Sequence, residues 1–215
     1  MKKRKKIFLL ENNICKNYYK KNIYQKDKIK VDKFIKDIHS NLDNKKNNFH
    51  ALSKKFTLEF DKKNFKKFKK YKSVIVIGMG GSVLGAHAIY SFLNHKIKKF
   101  FLFIDNLDQL KIEKIKNKFN LKKSLFIIIS KSGNTIETLI NTNLFKDKIN
   151  SNNTIIITEQ KNNLLNSFAK NRKILHINHK NYIGGRYSIL SEVGMVPAYF
   201  MDLEIKSFRE NLLTF

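Results

Sequence analysis

Five short runs of β-branched and aromatic residues alternate with longer stretches of helical character between positions 73 and 178. This alternation limits the possible folds more than any other feature. Val74–Ile77 is continuously apolar rather than alternating, the pattern of a strand buried on both faces. Phe100–Ile104, Leu125–Ile129, Thr154–Ile157 and Ile174–Ile177 are similar. The intervening sequence predicts helices over Val83–Asn94, Leu107–Phe119, Ile136–Ile149 and Asn162–Lys170. Repeated βαβ units imply an α/β fold: a three-layer sandwich around a five-stranded, mostly parallel sheet. Ligands of such sheets bind at the carboxyl ends of the strands, where the strand order reverses.

The first third differs in kind. Residues 1–72 hold 24 basic and 7 acidic side chains, against 20 and 10 in residues 73–215. Val31, Phe34, Ile35, Ile38 and Leu42 follow helical spacing, and a second short helix should carry Phe65 and Phe68 among lysines. We therefore expect residues 1–72 to be a helical N-terminal segment packed on a domain formed by residues 73–205.

The formal net charge of +27 would ordinarily suggest nucleic acid or an anionic membrane. Only Arg4, Arg172, Arg186 and Arg209 are arginine, however, and planar bidentate readout of phosphates and bases favours arginine. The abundance of Lys, Asn and Ile instead fits an AT-rich coding bias. We expect no nucleic-acid partner and no membrane. Ser73–Asn94 is uncharged with His87 neutral and long enough to mimic a span, but Gly78–Ser82 breaks its middle. After the basic start Met1–Lys6, the apolar run Ile7–Leu10 is too short for a signal peptide. The single cysteine, Cys15, permits no internal disulfide, so a reducing cytoplasm is expected.

The eight glycines are confined to three short stretches. Gly78-Met79-Gly80-Gly81-Ser82-Val83-Leu84-Gly85 leaves the first strand and enters a helix. It is either an anion-binding loop or a tight structural turn. The dinucleotide spacing Gly-x-Gly-x-x-Gly fails at Val83. Ser130-Lys131-Ser132-Gly133-Asn134-Thr135-Ile136-Glu137-Thr138 offers three hydroxyls before a helix. They could hold a phosphate, or Asn134 or Thr135 could simply cap the helix, with Glu137 or Thr138 in its first turn. No Walker-type ending occurs. Gly184-Gly185-Arg186-Tyr187-Ser188 follows the fifth strand. Arg186 suits an oxyanion, though an isolated arginine is ordinarily a surface or carboxylate-paired group. His176-x-x-His179 lacks the partners a zinc site needs, and His87 reads as a packed helix residue.

Taken in order, the three stretches resemble the phosphoglucose isomerase family of sugar isomerase (SIS) domain proteins. Its motifs are Gly-(Ile/Met)-Gly-Gly-Ser, Ser-Lys-(Ser/Thr)-x-x-Thr-x-Glu-Thr and Gly-Gly-Arg-(Tyr/Phe)-Ser. The last, continued here as Ile189–Gly194, is the most specific. The resemblance spans about Ser73 to Asp202 and implies an SIS-type fold that binds a sugar phosphate. By it, Gly81 and Ser82 approach the sugar, while Ser130, Lys131 (through its backbone), Ser132 and Thr135 cradle the phosphate. Gly185 and the catalytic Arg186 sit at the carbonyl end, where Arg186 stabilises a cis-enediolate. The implied reaction interconverts glucose 6-phosphate and fructose 6-phosphate in glycolysis and gluconeogenesis. It needs no metal or organic cofactor and is carried out by a homodimer of the full-length enzyme. The family's base glutamate, in a string like Met-Glu-Ser-Asn-Gly-Lys, has no counterpart here. Nor do its late histidine and lysine, and family members carry a second, similar domain. The expectation is a chain truncated after 215 and inactive alone. A non-catalytic SIS-type sensor or regulator domain is the alternative, and it would not need Arg186.

Overall fold

The computed structural model describes residues 21–210 and 212. Cys15, Met1–Lys6, Ile7–Leu10, Leu213 and Phe215 lie outside them. The chain divides into two compact units, Met1–Asn41 and Leu42–Phe215. In the first, α1 (Lys21–Asn41) contains the helical repeat at Val31, Phe34 and Ile35, yet all three are exposed. The spacing gives the helix; burial of its apolar residues does not follow from spacing.

The second unit is built on β1 (Ser73–Gly78), β2 (Phe100–Ile104), β3 (Ser124–Ile129), β4 (Thr154–Thr158) and β5 (Leu175–Asn178). All pairings are parallel, in the order β2-β1-β3-β4-β5. The chain steps one way from β1 to β2 and then reverses, which puts the switch point between β1 and β3. There Gly78 is in register with Ile129, so the first glycine stretch and the hydroxyl stretch leave neighbouring strands at the same level.

Helices α2 (Gly81–Leu93), α3 (Gln109–Lys118), α4 (Ile136–Leu144), α5 (Leu164–Asn171) and α6 (Glu192–Phe200) complete the unit. Alternate strand residues feed two cores. Val74 and Val76 join Val83 and Ala86 of α2 and Val193 and Val196 of α6. Ile75 and Ile77 join Ile112 and Ile115 of α3 and Leu165 of α5. The strands are therefore buried on both faces, which is why their sequences do not alternate. Phe65 and Phe68, on a 3-10 turn over Lys62–Phe68, pack into the first core.

Two local outcomes depart from the sequence reading. α4 stops at Leu144 rather than Ile149. Its second half is Asn141-Thr142-Asn143, weak helix formers, and Thr142 Oγ1 donates back to Thr138 O at 2.7 Å. α6 carries no lysine or arginine and is buried almost throughout, so it shows no amphipathic stripe for a periodicity search to find.

Phe65→Ala should cost about 3–5 kcal/mol in urea unfolding, because the ring is 1% exposed. Phe92→Ala, at 82% exposure, should stay within about 0.5 kcal/mol.

Candidate functional site

The two helices that open from the switch point differ from the other three in this unit. α3, α5 and α6 begin with side-chain caps from Asp108, Asn163 and Ser191. α2 and α4 begin at Gly80 and Thr135 with no side-chain cap. At α2 the Ser82 and Val83 N–H groups turn back to Met79 O (3.1 Å) and Gly80 O (3.0 Å), so what favours an anion there is the positive end of the helix dipole.

At α4 the hydroxyls gather instead of capping. Ser130 Oγ lies 3.0 Å and Ser132 Oγ 3.4 Å from Thr135 Oγ1. The Gly133 N–H donates to Ser130 Oγ (3.2 Å) and the Asn134 N–H to Ser132 Oγ (3.2 Å). Gly133 turns the loop with φ 69° and packs where the Asn163 side chain leaves no room for a Cβ. Of the two sequence alternatives, the capping one is not what forms: Thr135 occupies the cap position, but its hydroxyl faces Ser130 and Ser132. Lys131 points elsewhere, with Nζ donating to Asn181 O (2.6 Å) and 3.8 Å from the Glu159 carboxylate. Only its backbone stays with the loop.

At α2, Gly80 takes φ 53° and ψ −126°, a region closed to residues with a Cβ. Gly81 has a different reason to be glycine. A Cβ there would overlap the carbonyl group of Gly185 and come within 2.8 Å of Arg186 N. The first and third stretches therefore meet backbone to backbone, although β5 lies at the sheet edge. Ser188 Oγ bridges them, 2.6 Å from Gly185 O and 3.3 Å from Gly81 O. Ile189 then wedges between Gly85 and Gly194. Ser82 is buried in the first turn of α2. Arg186 is exposed and forms no hydrogen bond or ion pair with any described residue, unlike a carboxylate-paired surface arginine.

The structure thus joins Gly81 to Gly185 and Arg186, and it clusters Ser130, Ser132 and Thr135 one strand away. Of the local carboxylates, Glu159 is paired with Lys161 and Lys131, and Glu192 with Lys180. His87 stacks on Phe103 with centroids 4.5 Å apart. A cleft of about 630 Å³, lined in part by His50, Glu59, Lys161 and Lys180, opens at the ends of β4 and β5. None of the sequence-predicted site residues lines it.

Sequence reasoning missed Lys180, the one buried lysine among the described residues. Nothing distinguishes it among the chain's many lysines. Burial opposes its charge, but Glu59 and Glu192 outweigh burial and raise its pKa. Lys180 in turn holds the Glu59 carboxyl below its usual value. Burial pushes His176 and His179 below the usual 6.5, and His179 Nε2 is buried without a hydrogen-bond partner among the described residues.

A family model described as phosphoglucose isomerase matches residues 5–213. The glucose-6-phosphate isomerase of Methanocaldococcus jannaschii is 36% identical over 150 residues, covering 68% of this chain and 37% of that protein. That of Borreliella afzelii is 39% identical, over 60% of this chain and 26% of its own length. That of Campylobacter jejuni is 33% identical, over 75% and 42%. The matched part of the chain therefore spans 26–42% of the length of these relatives. Among solved structures, a glucose-6-phosphate isomerase from Chlamydia trachomatis superposes with TM-score 0.60 at 26% identity, over 70% of this chain and 30% of that one. A hypothetical protein of Thermus thermophilus shares the fold with TM-score 0.65 at 24% identity, over 69% and 37%.

Gly81→Ala should destabilise the fold by about 1–3 kcal/mol through overlap with Gly185, measured by urea unfolding. Acid should also destabilise it. A histidine with a depressed folded pKa leaves the unfolded state binding more protons, so its contribution is intact above pH 6.5 and declines below it. The urea midpoint should be lower at about pH 5 than at about pH 7.5, and His179→Gln should flatten that slope.

Proposed function

The chain belongs to the phosphoglucose isomerase family, and from that premise we propose that it carries the phosphate cradle and Arg186 of an isomerase interconverting glucose 6-phosphate and fructose 6-phosphate. The observation that carries this reading is the pairing of two uncapped helix N-termini at the switch point with three converging hydroxyls and an unpaired arginine. Ser130, Ser132 and Thr135 hydroxyls and the backbone of Lys131 hold the phosphate in this reading. Gly81 and Ser82 line the sugar, and their lack of bulk lets it approach α2. Gly185 and Arg186 face the carbonyl end.

Aldose–ketose isomerisation through a cis-enediol moves a proton between C2 and C1 and places negative charge on the carbonyl oxygen. A permanently charged guanidinium with no counter-ion among the described residues stabilises that charge as it develops. Proton transfer needs a carboxylate within hydrogen-bond reach of the moving proton. Glu159 and Glu192 are committed to lysines, and Glu137 sits in the first turn of α4. We assign the base to none of them. Residues 73–205 act as the SIS-type domain in this proposal, with residues 1–72 leading into it. A cytoplasmic homodimer of the full-length enzyme is part of the same proposal.

Calorimetry on the folded chain should detect 6-phosphogluconate binding. Arg186→Ala should weaken it about tenfold or more, the scale of a lost charge-assisted hydrogen bond. A folded chain that binds no sugar phosphate, or binds equally well without Arg186, contradicts the proposal. A nucleic-acid binder would instead shift DNA with a steep salt dependence.

A further inference from the structure

Arg186 lies on a stretch, residues 181–191, bounded at both ends by buried charges of opposite sign. Lys180 Nζ is 3.2 Å from Glu192 Oε1 and 2.6 Å from Glu59 Oε1. The Lys180 side chain is 8% exposed and that of Glu192 1%. Glu192 Oε1 also accepts the Glu59 N–H at 2.9 Å, and Lys180 Nζ sits 5.0 Å from the centre of the Phe56 ring. Glu192 opens α6, where a negative charge is favoured. Between these ends the stretch is also held by Lys131 Nζ, which donates to Asn181 O at 2.6 Å, by the burial of Ile183 and by Ser188 Oγ, 3.3 Å from Gly81 O. Asn48 Oδ1 accepts the Gly184 N–H at 3.1 Å, and Arg209 Nη1 donates to Leu190 O at 2.7 Å. Arg186 itself has no side-chain tie to any described residue.

A buried ion pair is a poor source of net stability, because desolvation offsets most of its attraction. It does hold two points of the chain at a set separation. We infer that the Lys180–Glu192 pair, braced by Glu59, is a positioning device that closes the base of this loop and holds Gly185 against Gly81, and so aims Arg186. The inference rests on the sugar-phosphate role proposed for Arg186. Lys180 and Glu192 are positioning residues and touch no substrate.

Lys180→Met and the milder, isosteric Glu192→Gln test it in the 215-residue chain. Hydrogen exchange followed by mass spectrometry should show amides of residues 181–191 exchanging about tenfold faster, with β1 and β3 unchanged. In calorimetry, Lys180→Met should weaken 6-phosphogluconate binding about tenfold when Arg186 is present, and less than about twofold in an Arg186→Ala background. Affinity for inorganic phosphate, held by the hydroxyl loop, should not change. Unchanged loop exchange, or equal affinity losses with and without Arg186, would overturn the inference. So would loss of protection throughout the sheet in both variants, since the pair would then hold the whole fold rather than the loop. If the unmodified chain binds no sugar phosphate, the functional reading fails, while exchange still decides whether the pair holds the loop.

Discussion

The contact between Gly81 and Gly185 is the constraint on which the site depends. Parallel strands deliver the two glycines to different parts of the sheet: one follows β1 at the switch point, the other follows β5 at the edge. They meet because neither has a side chain, and a single methyl on Gly81 would overlap the partner carbonyl. Ser188 bridges the two carbonyls, and Ile189 locks between Gly85 and Gly194 just beyond.

Electrostatics then separates into a local part and a diffuse part. The local part consists of one exposed guanidinium without a partner among the described residues, together with two helix ends whose backbone is oriented by the fold. Helix ends oriented in this way need no rearrangement to receive an anion. The diffuse part is the net +27, heaviest before the sheet begins. It can draw anions toward the molecule, but it does not distinguish one from another.

The sheet was legible in the sequence because burial on both faces leaves uninterrupted apolar runs, and each observed strand lies within a residue or so of its predicted bounds. The glycine stretches were legible because glycine is otherwise absent from the chain. What could not be read depended on tertiary context. Lys180 resembles every other lysine until burial singles it out. Glu192 follows a serine that caps α6 and looks like a first-turn carboxylate. The hydroxyl loop was ambiguous between capping and cradling, because that choice turns on where Thr135 Oγ1 points. Periodicity predicted the helix α1 through Val31, Phe34 and Ile35.

The most direct test follows backbone amides by 15N NMR as fructose 6-phosphate is added to the chain. Simultaneous, saturable shifts at Gly81, Ser82, Ser132, Gly133 and Thr135, with the Gly185–Arg186 amides moving on the same curve, are the predicted result. Shifts confined to lysine-rich surface segments, or none at these amides, would contradict a sugar-phosphate site at the switch point.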